Sequence, residues 1–263
     1  MIFYLSCTGN TLWAAQAMAE ATGDRLVDIT ALPPGENCFS IEPEERVGFC
    51  FPVHGWRPPF LVRKFIQQLH LALPGNAEDS YFYALCTAGD TIGETMELME
   101  KDLRQAGYAL HARFSLIMPE SYVGLPFMDV DTPENERRKI DNARRQLKDI
   151  TRLVANRQRG VEQTTRGRWP KTNTRLLGGF FLHRLVTDRP FRVEASRCIA
   201  CGKCKDTCPV GNIGSDGNQR PVWLHNGNCL SCFSCFHHCP VHAIEYGNRT
   251  KHKGQYYFRK RNT

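Results

Sequence analysis

Eight of the twelve cysteines in this 263-residue chain fall in two copies of one spacing, Cys-x2-Cys-x2-Cys-x3-Cys-Pro. The first copy is Cys198, Cys201, Cys204, Cys208 and Pro209; the second is Cys229, Cys232, Cys235, Cys239 and Pro240. Two residues between successive cysteines let three thiolates converge on three corners of a small cube. The longer step and the proline then turn the backbone away and send the fourth cysteine towards a neighbouring site. Zinc competes for such spacing, because paired Cys-x2-Cys also binds Zn²⁺ tetrahedrally. A zinc site takes four ligands from two short pairs, however, and two matched runs of four exceed that need. A disulfide framework would require a secreted context, of which the chain carries no sign.

The copies form an internal repeat. Cys208–Ile213 reads Cys-Pro-Val-Gly-Asn-Ile and Cys239–Ile244 reads Cys-Pro-Val-His-Ala-Ile. Val210, Ile213, Val241 and Ile244 are placed to pack on whatever the cysteines hold and to keep water off it. The first cysteines of the two copies are 31 residues apart, which leaves no room for an inserted domain. From about Phe191 to Tyr246 the sequence resembles the bacterial two-cluster ferredoxins. That resemblance implies a small α+β domain with two [4Fe–4S] clusters, which pass single electrons. It also implies a crossed ligand set: Cys198, Cys201, Cys204 and Cys239 on one cluster, and Cys229, Cys232, Cys235 and Cys208 on the other.

The residues ahead of this module alternate between two patterns. Ile2–Leu5, Leu26–Ile29, Val47–Phe51, Tyr81–Cys86 and Arg113–Met118 are short apolar or β-rich runs. Segments of helical period lie between and after them: Thr11–Ala21, Pro59–Leu69, Ile92–Ala106 and Glu134–Asn156. In the last, Ile140, Ala143, Leu147, Ile150 and Val154 recur at three- and four-residue steps. Five strands separated by helices predict an α/β fold, a doubly wound five-stranded parallel sheet over residues 1–157. Residues 158–190 read as a basic, turn-rich linker packed between the domains, and 191–263 as the cysteine domain with a basic tail. Such sheets bind ligands at the carboxyl ends of their strands.

The first strand runs into Ser6-Cys7-Thr8-Gly9-Asn10-Thr11 and then into a helix. Backbone N–H groups at a helix start, a glycine and several hydroxyls make a phosphate site. The loop has neither the lysine of a Walker loop nor Gly-x-Gly-x-x-Gly, so a monophosphate fits best. Here the chain resembles the flavodoxin family, whose Ser/Thr-x-Thr-Gly-x-Thr loop cradles the FMN phosphate; Ser6, Thr8, Gly9 and Thr11 match it. The resemblance implies a flavodoxin-like domain whose ring loops are Pro52, Val53, His54, Gly55 and Trp56, and Thr87, Ala88, Gly89 and Asp90. Gly55 corresponds to the peptide that faces flavin N5, and Trp56, rather than His54, to a stacking ring. No aromatic lies between Thr87 and Gly93, so one flavin face is expected to be open to a substrate or to the ferredoxin domain. Cys50 and Cys86, on strands, read as small buried hydrophobes.

The net charge of +7 is unevenly distributed. Residues 1–157 carry 16 Lys+Arg against 21 Asp+Glu, and residues 158–263 carry 18 against 6. The basic half, including the tail residues Lys251, Lys253, Arg259, Lys260 and Arg261, either counters the charge of the clusters or steers an acidic redox partner. No recognisable nucleic-acid module interleaves aromatics with these cations, so no nucleic acid is expected. No apolar run is long enough to span a bilayer and no signal peptide is visible, which together with oxygen-sensitive clusters predicts a cytoplasmic location at low oxygen. The whole resembles the flavodoxin-fused ferredoxins of anaerobic bacteria, which implies an electron carrier relaying between FMN and the clusters. The competing reading is a flavin reductase of a small quinone or nitro compound, fed by its own ferredoxin domain.

Overall fold

Parallel strands buried on both faces organise the first part of the chain. The computed structural model describes residues 1–75 and 80–258. Six strands, β1 (Ile2–Tyr4), β2 (Leu26–Asp28), β3 (Val47–Pro52), β4 (Phe82–Ala88), β5 (Ala112–Ile117) and β6 (Val161–Gln163), form one sheet in the order β2-β1-β3-β4-β5-β6. Every pairing in it is parallel. Strand alternation divides the core. Phe49, Phe51, Phe82, Ala84 and Cys86 face α2 (Phe60–Gln68) and α3 (Thr95–Gln105). Cys50, Tyr83, Leu85, Phe114 and Leu116 face α1 (Asn10–Thr22) and α4 (Pro133–Ala155). With a helix layer on each face, strands such as Phe-Tyr-Ala-Leu-Cys-Thr-Ala must be apolar throughout, and that run is fully buried.

Local signals set the helix ends. Thr132 caps α4 by accepting a hydrogen bond from Asn135 N, Pro133 follows it, and Glu134 and Glu136 meet the positive end of the helix dipole. The predicted stripe is turned inwards: Ala143, Leu147, Ile150 and Val154 are buried, with Ile140 half-buried. Helix α1 is bracketed by Gly9 and Gly23, at φ of 90° and 73°.

The expected five strands are corrected to six. Val161–Gln163, assigned above to the linker, adds to the sheet edge beside β5 in the register Ala112↔Val161. Only Val161 is half-buried while Glu162 and Gln163 are exposed, so no apolar run announced the strand. A second small parallel pair, Cys38–Ser40 with His70–Ala72, was also not foreseen.

The cysteine domain consists of two antiparallel pairs, Phe191–Val193 with Ile244–Tyr246 and Ile213–Ser215 with Pro221–Trp223, and two single-turn helices. It shares a buried seam with the sheet. Leu230 belongs to the hydrophobic core under β1, β3 and β4, with Val210 and Cys232 packed against it. His237 accepts at Nδ1 from Tyr256 N and donates from Nε2 to Ser121 O at 2.7 Å, which fixes its tautomer. The Lys253 ammonium sits in a cradle of three carbonyls, those of Val123 (3.0 Å), Met128 (2.6 Å) and Leu125. The chain then continues to Tyr256, whose hydroxyl donates to Asn10 Oδ1, and to Phe258, whose ring stacks on Trp13. The basic-tail residues Arg259, Lys260 and Arg261 lie outside the described residues.

The Lys253 cradle generates the first prediction. Lys253→Met removes the donor and leaves carbonyls of the seam without their charged partner. The holo-protein should lose about 2–3 kcal/mol, the worth of a hydrogen bond to a charged group, read as a lower denaturant midpoint. An unchanged midpoint would show that the cradle is solvated and adds nothing.

Candidate functional site

The two cysteine motifs have the same backbone as well as the same spacing. Ala200 and Gly202 in the first, and Ser231 and Phe233 in the second, all have positive φ (54°, 74°, 49° and 59°). Gly211 and His242 repeat the match two residues after each proline, at 59° and 53°. Alternating left- and right-handed residues turn successive N–H groups to one side, a nest for an anionic centre. Backbone donors reach sulfur, among them Asn212 N to Cys208 (3.3 Å), Ser231 N to Cys229 (3.4 Å) and Ala243 N to Cys239 (3.1 Å).

Phe233 occupies the position that glycine fills in the first motif, a strained conformation for a bulky residue. Its ring compensates by packing against Tyr122, Phe191 and Tyr246, with centroids 5.4, 5.2 and 5.1 Å away. The same packing explains Gly124, where an added Cβ would lie 2.8 Å from Phe233 Cζ.

The eight thiols line two separate cavities, and the grouping is crossed. One is walled by Cys198, Cys201, Cys204 and Cys239, with Val241 and Ile244. The other is walled by Cys229, Cys232, Cys235 and Cys208, with Val210 and Ile213. Among the described residues no three His, Cys, Asp or Glu side chains converge on a single-ion point. Burial pushes the Cys204 thiol up to about 11 and the Cys229 thiol up to about 12. Burial thus opposes the thiolate form that a metal centre requires.

A larger cavity of about 220 Å³ opens at the carboxyl ends of the strands. Of the fourteen residues expected to hold FMN, thirteen line it: Ser6, Cys7, Thr8, Asn10, Thr11, Pro52, Val53, Gly55, Trp56, Thr87, Ala88, Gly89 and Asp90. The exception is Gly9, which backs the loop; an added Cβ there would meet Phe258 Cβ at 3.0 Å. Ser6 Oγ accepts from Leu12 N, and its own proton has no acceptor among the described residues. Thr11 and Thr87 share one hydrogen bond of 2.8 Å between their hydroxyls, which leaves one proton for a ligand. Thr8 is buried, and its hydroxyl makes no hydrogen bond among the described residues. Among the described residues no Lys or Arg lines this cavity. Trp56 donates from Nε1 to Thr91 Oγ at 3.2 Å, tying the two ring loops together.

Several lining residues were missed. Pro119–Tyr122 follows β5, at the strand end where the ligand rule already points. Glu120 accepts from Ser121 N and Tyr122 N, and burial raises its pKa against those donors. Its carboxylate requires Gly89, where an added Cβ would lie 2.2 Å from Oε2. Desolvation lowers His54 to about 4, so this imidazole is neutral at physiological pH. Aromatic rings reach the cavity wall from outside Thr87–Gly93: Tyr122 and Phe181 meet edge to face at 5.2 Å. Phe181 comes from the segment read as linker. Leu230, Ser231 and Cys232 complete the wall, so one thiol borders both this cavity and a cysteine cavity.

Cys7 adjoins that shared thiol. The proximity of Cys232, and then burial, raise the Cys7 thiol above its ordinary range. Cys50, the buried strand cysteine, is raised by desolvation to about 12, and Cys86 is raised likewise, as expected of inert core thiols.

Residues 191–254 match the family described as 4Fe-4S dicluster domain. The match supports iron–sulfur binding by this domain and an electron-transfer role for it. No curated protein matches the chain. No helix of the described residues is long and apolar enough to cross a membrane.

The crossed cavities predict that Cys208→Ser damages the centre held by the second motif. Mössbauer and EPR spectra should lose that signal and retain the one from Cys198, Cys201 and Cys204. Selective loss of the first-motif signal would contradict the pairing.

Proposed function

We propose that this chain is an electron relay in which FMN, held at the carboxyl end of a flavodoxin-like sheet, exchanges electrons with two [4Fe–4S] clusters in the C-terminal domain. One observation carries the reading: Cys232 walls both the large cavity and the cavity of Cys229, Cys235 and Cys208. A cluster there would lie directly against the bound ring. The cavity of Cys198, Cys201, Cys204 and Cys239 shares no residue with the large one and includes the exposed Cys201, so the order runs from flavin to inner cluster to outer cluster.

The residues suit both groups. The clusters would receive four thiols each, aliphatic walls and backbone N–H donors to sulfur, the features that set potential. The order β2-β1-β3-β4-β5 is that of flavodoxin-like sheets, whose ligand sits at the switch point beside β1 and β3. Neutral donors at the start of α1 and an N-terminal helix dipole favour a phosphate without a cation. FMN supplies two-electron chemistry with single-electron release, the step that connects a hydride-type donor to one-electron clusters. The protein's own part is to orient the ring between Trp56, Tyr122 and Phe181, exclude water and place Cys232 at its edge.

The enzymatic alternative would need room for a small substrate beside the ring. The wall formed by Leu230–Cys232 places the cysteine domain there, which favours the relay.

The phosphate loop predicts a selective loss. Thr8→Val replaces a hydroxyl without an internal partner by an isosteric methyl, so folding should be unaffected. FMN affinity should fall by about tenfold, roughly one hydrogen bond to a charged group, while riboflavin affinity stays constant. Equal weakening of both, measured by fluorescence titration, would remove the phosphate argument.

A further inference from the structure

The segment from Pro170 to Arg184 is one continuous helical stretch, π-helical over Thr172–Leu177 and α-helical from Gly178. Its inner side is fixed by close contacts. Thr174 is buried, donates to Trp56 O and accepts from Glu94 N. Gly178 lies so close to the 52–59 loop that a Cβ would be 2.3 Å from Gly55 O, and Phe181 lines the cavity.

The outer side is the reverse of an ordinary surface helix. Trp169, Leu176, Leu177 and Phe180 are 61, 70, 49 and 60 % exposed. Solvated positions on a helix are normally polar, and a contiguous apolar stripe marks an interaction surface. Cations border it. Arg168 stacks on Trp169 at 5.3 Å, Lys171 and Arg184 are exposed, and Arg175 pairs with Glu94 at 2.8 Å. Residues 158–190 hold seven Lys+Arg against two Asp+Glu.

We propose that this stripe is the docking site of a small acidic iron–sulfur protein that exchanges electrons with the cofactor behind it; the proposal rests on the relay reading. An aromatic and aliphatic centre edged by arginine is the composition of transient protein interfaces. The cationic border calls for an acidic partner, which it would also steer on approach. Anionic lipid would satisfy the same charges but would bring no electrons to the cavity. A partner on the outer face is separated from the cavity by one helix thickness, about 10–12 Å. The step is a single electron leaving the partner's reduced cluster and entering the relay, with no bond made or broken.

The test uses the anaerobically purified full chain, with a reduced, acidic two-[4Fe–4S] ferredoxin as probe in stopped-flow mixing. Leu176→Ser/Phe180→Ser and Arg168→Glu/Arg184→Glu alter only exposed side chains. Each pair should lower the second-order rate at least about tenfold, and the charge pair should also abolish its decrease with salt. Reduction by methyl viologen should be unchanged in both. Wild-type rates with the probe in both variants would overturn the proposal. So would loss of binding to anionic phosphatidylserine vesicles in the variants with unchanged probe rates, which would assign the stripe to a membrane. Failure of the relay reading is distinguishable, because viologen would then bleach no flavin band in any of the three proteins.

Discussion

Cys232 belongs to two cavities at once, and the rest of the architecture keeps it there. A thiol can border both only if the loop that carries it is driven into the end of the parallel sheet. Leu230 anchors that loop in the core of β1, β3 and β4, Ser234 Oγ donates to Cys7 O at 2.8 Å, and Cys7 and Cys232 line the same cavity. A flexible tether would only raise the effective concentration of one unit near the other. A shared buried loop fixes distance, and the two units cannot separate without opening a hydrophobic core.

The same seam manages charge in a dry environment. The cysteine cavities have walls of Val, Ile and Pro, which disfavour free thiolates, so the left-handed turns and the backbone N–H groups donated to sulfur supply compensating positive potential. The large cavity reaches a similar balance with neutral groups. Its imidazole is uncharged, its carboxylate is shifted towards the acid form, and its hydroxyls are arranged so that several protons remain free. Cations lie on the outside, along the 158–190 segment. An anionic cofactor, as proposed, would be held by dipoles within and attracted by charge without.

Much of this was legible in residues that do chemistry by spacing. The repeated cysteine pattern marked the eight thiols, and the resemblance to two-cluster ferredoxins implied the crossed grouping with which they line the two cavities. Ser6 to Thr11, apart from Gly9, line the large cavity, but a strand–glycine–helix turn also serves as an ordinary capped turn, so the loop alone did not single out a ligand site. What escaped detection is long-range. Tyr122, Glu120 and Phe181 reach the cavity from segments without a motif, and they are recognisable only once Gly89, Gly124 and Gly55 are seen to make room for them. The sixth strand was unreadable because an edge position needs little apolar surface. The tail from Lys253 to Phe258 docks through the Lys253 ammonium, the Tyr256 hydroxyl and the Phe258 ring, whose partners lie far away in sequence and form no motif with them. Phe233 broke a local rule, a bulky residue in a left-handed turn, and its compensation comes from three rings distant in sequence.

Intramolecular electron transfer is the central claim, and one measurement tests it most directly. The fully reduced chain, carrying flavin and iron–sulfur centres, would be mixed rapidly with less than one equivalent of a one-electron oxidant. Absorbance at flavin and cluster wavelengths would be followed over a wide range of protein concentration. The shared wall at Cys232 predicts that the two signals re-equilibrate together, at a rate independent of concentration. A re-equilibration rate that rises in proportion to protein concentration would place the transfer between molecules and contradict the account.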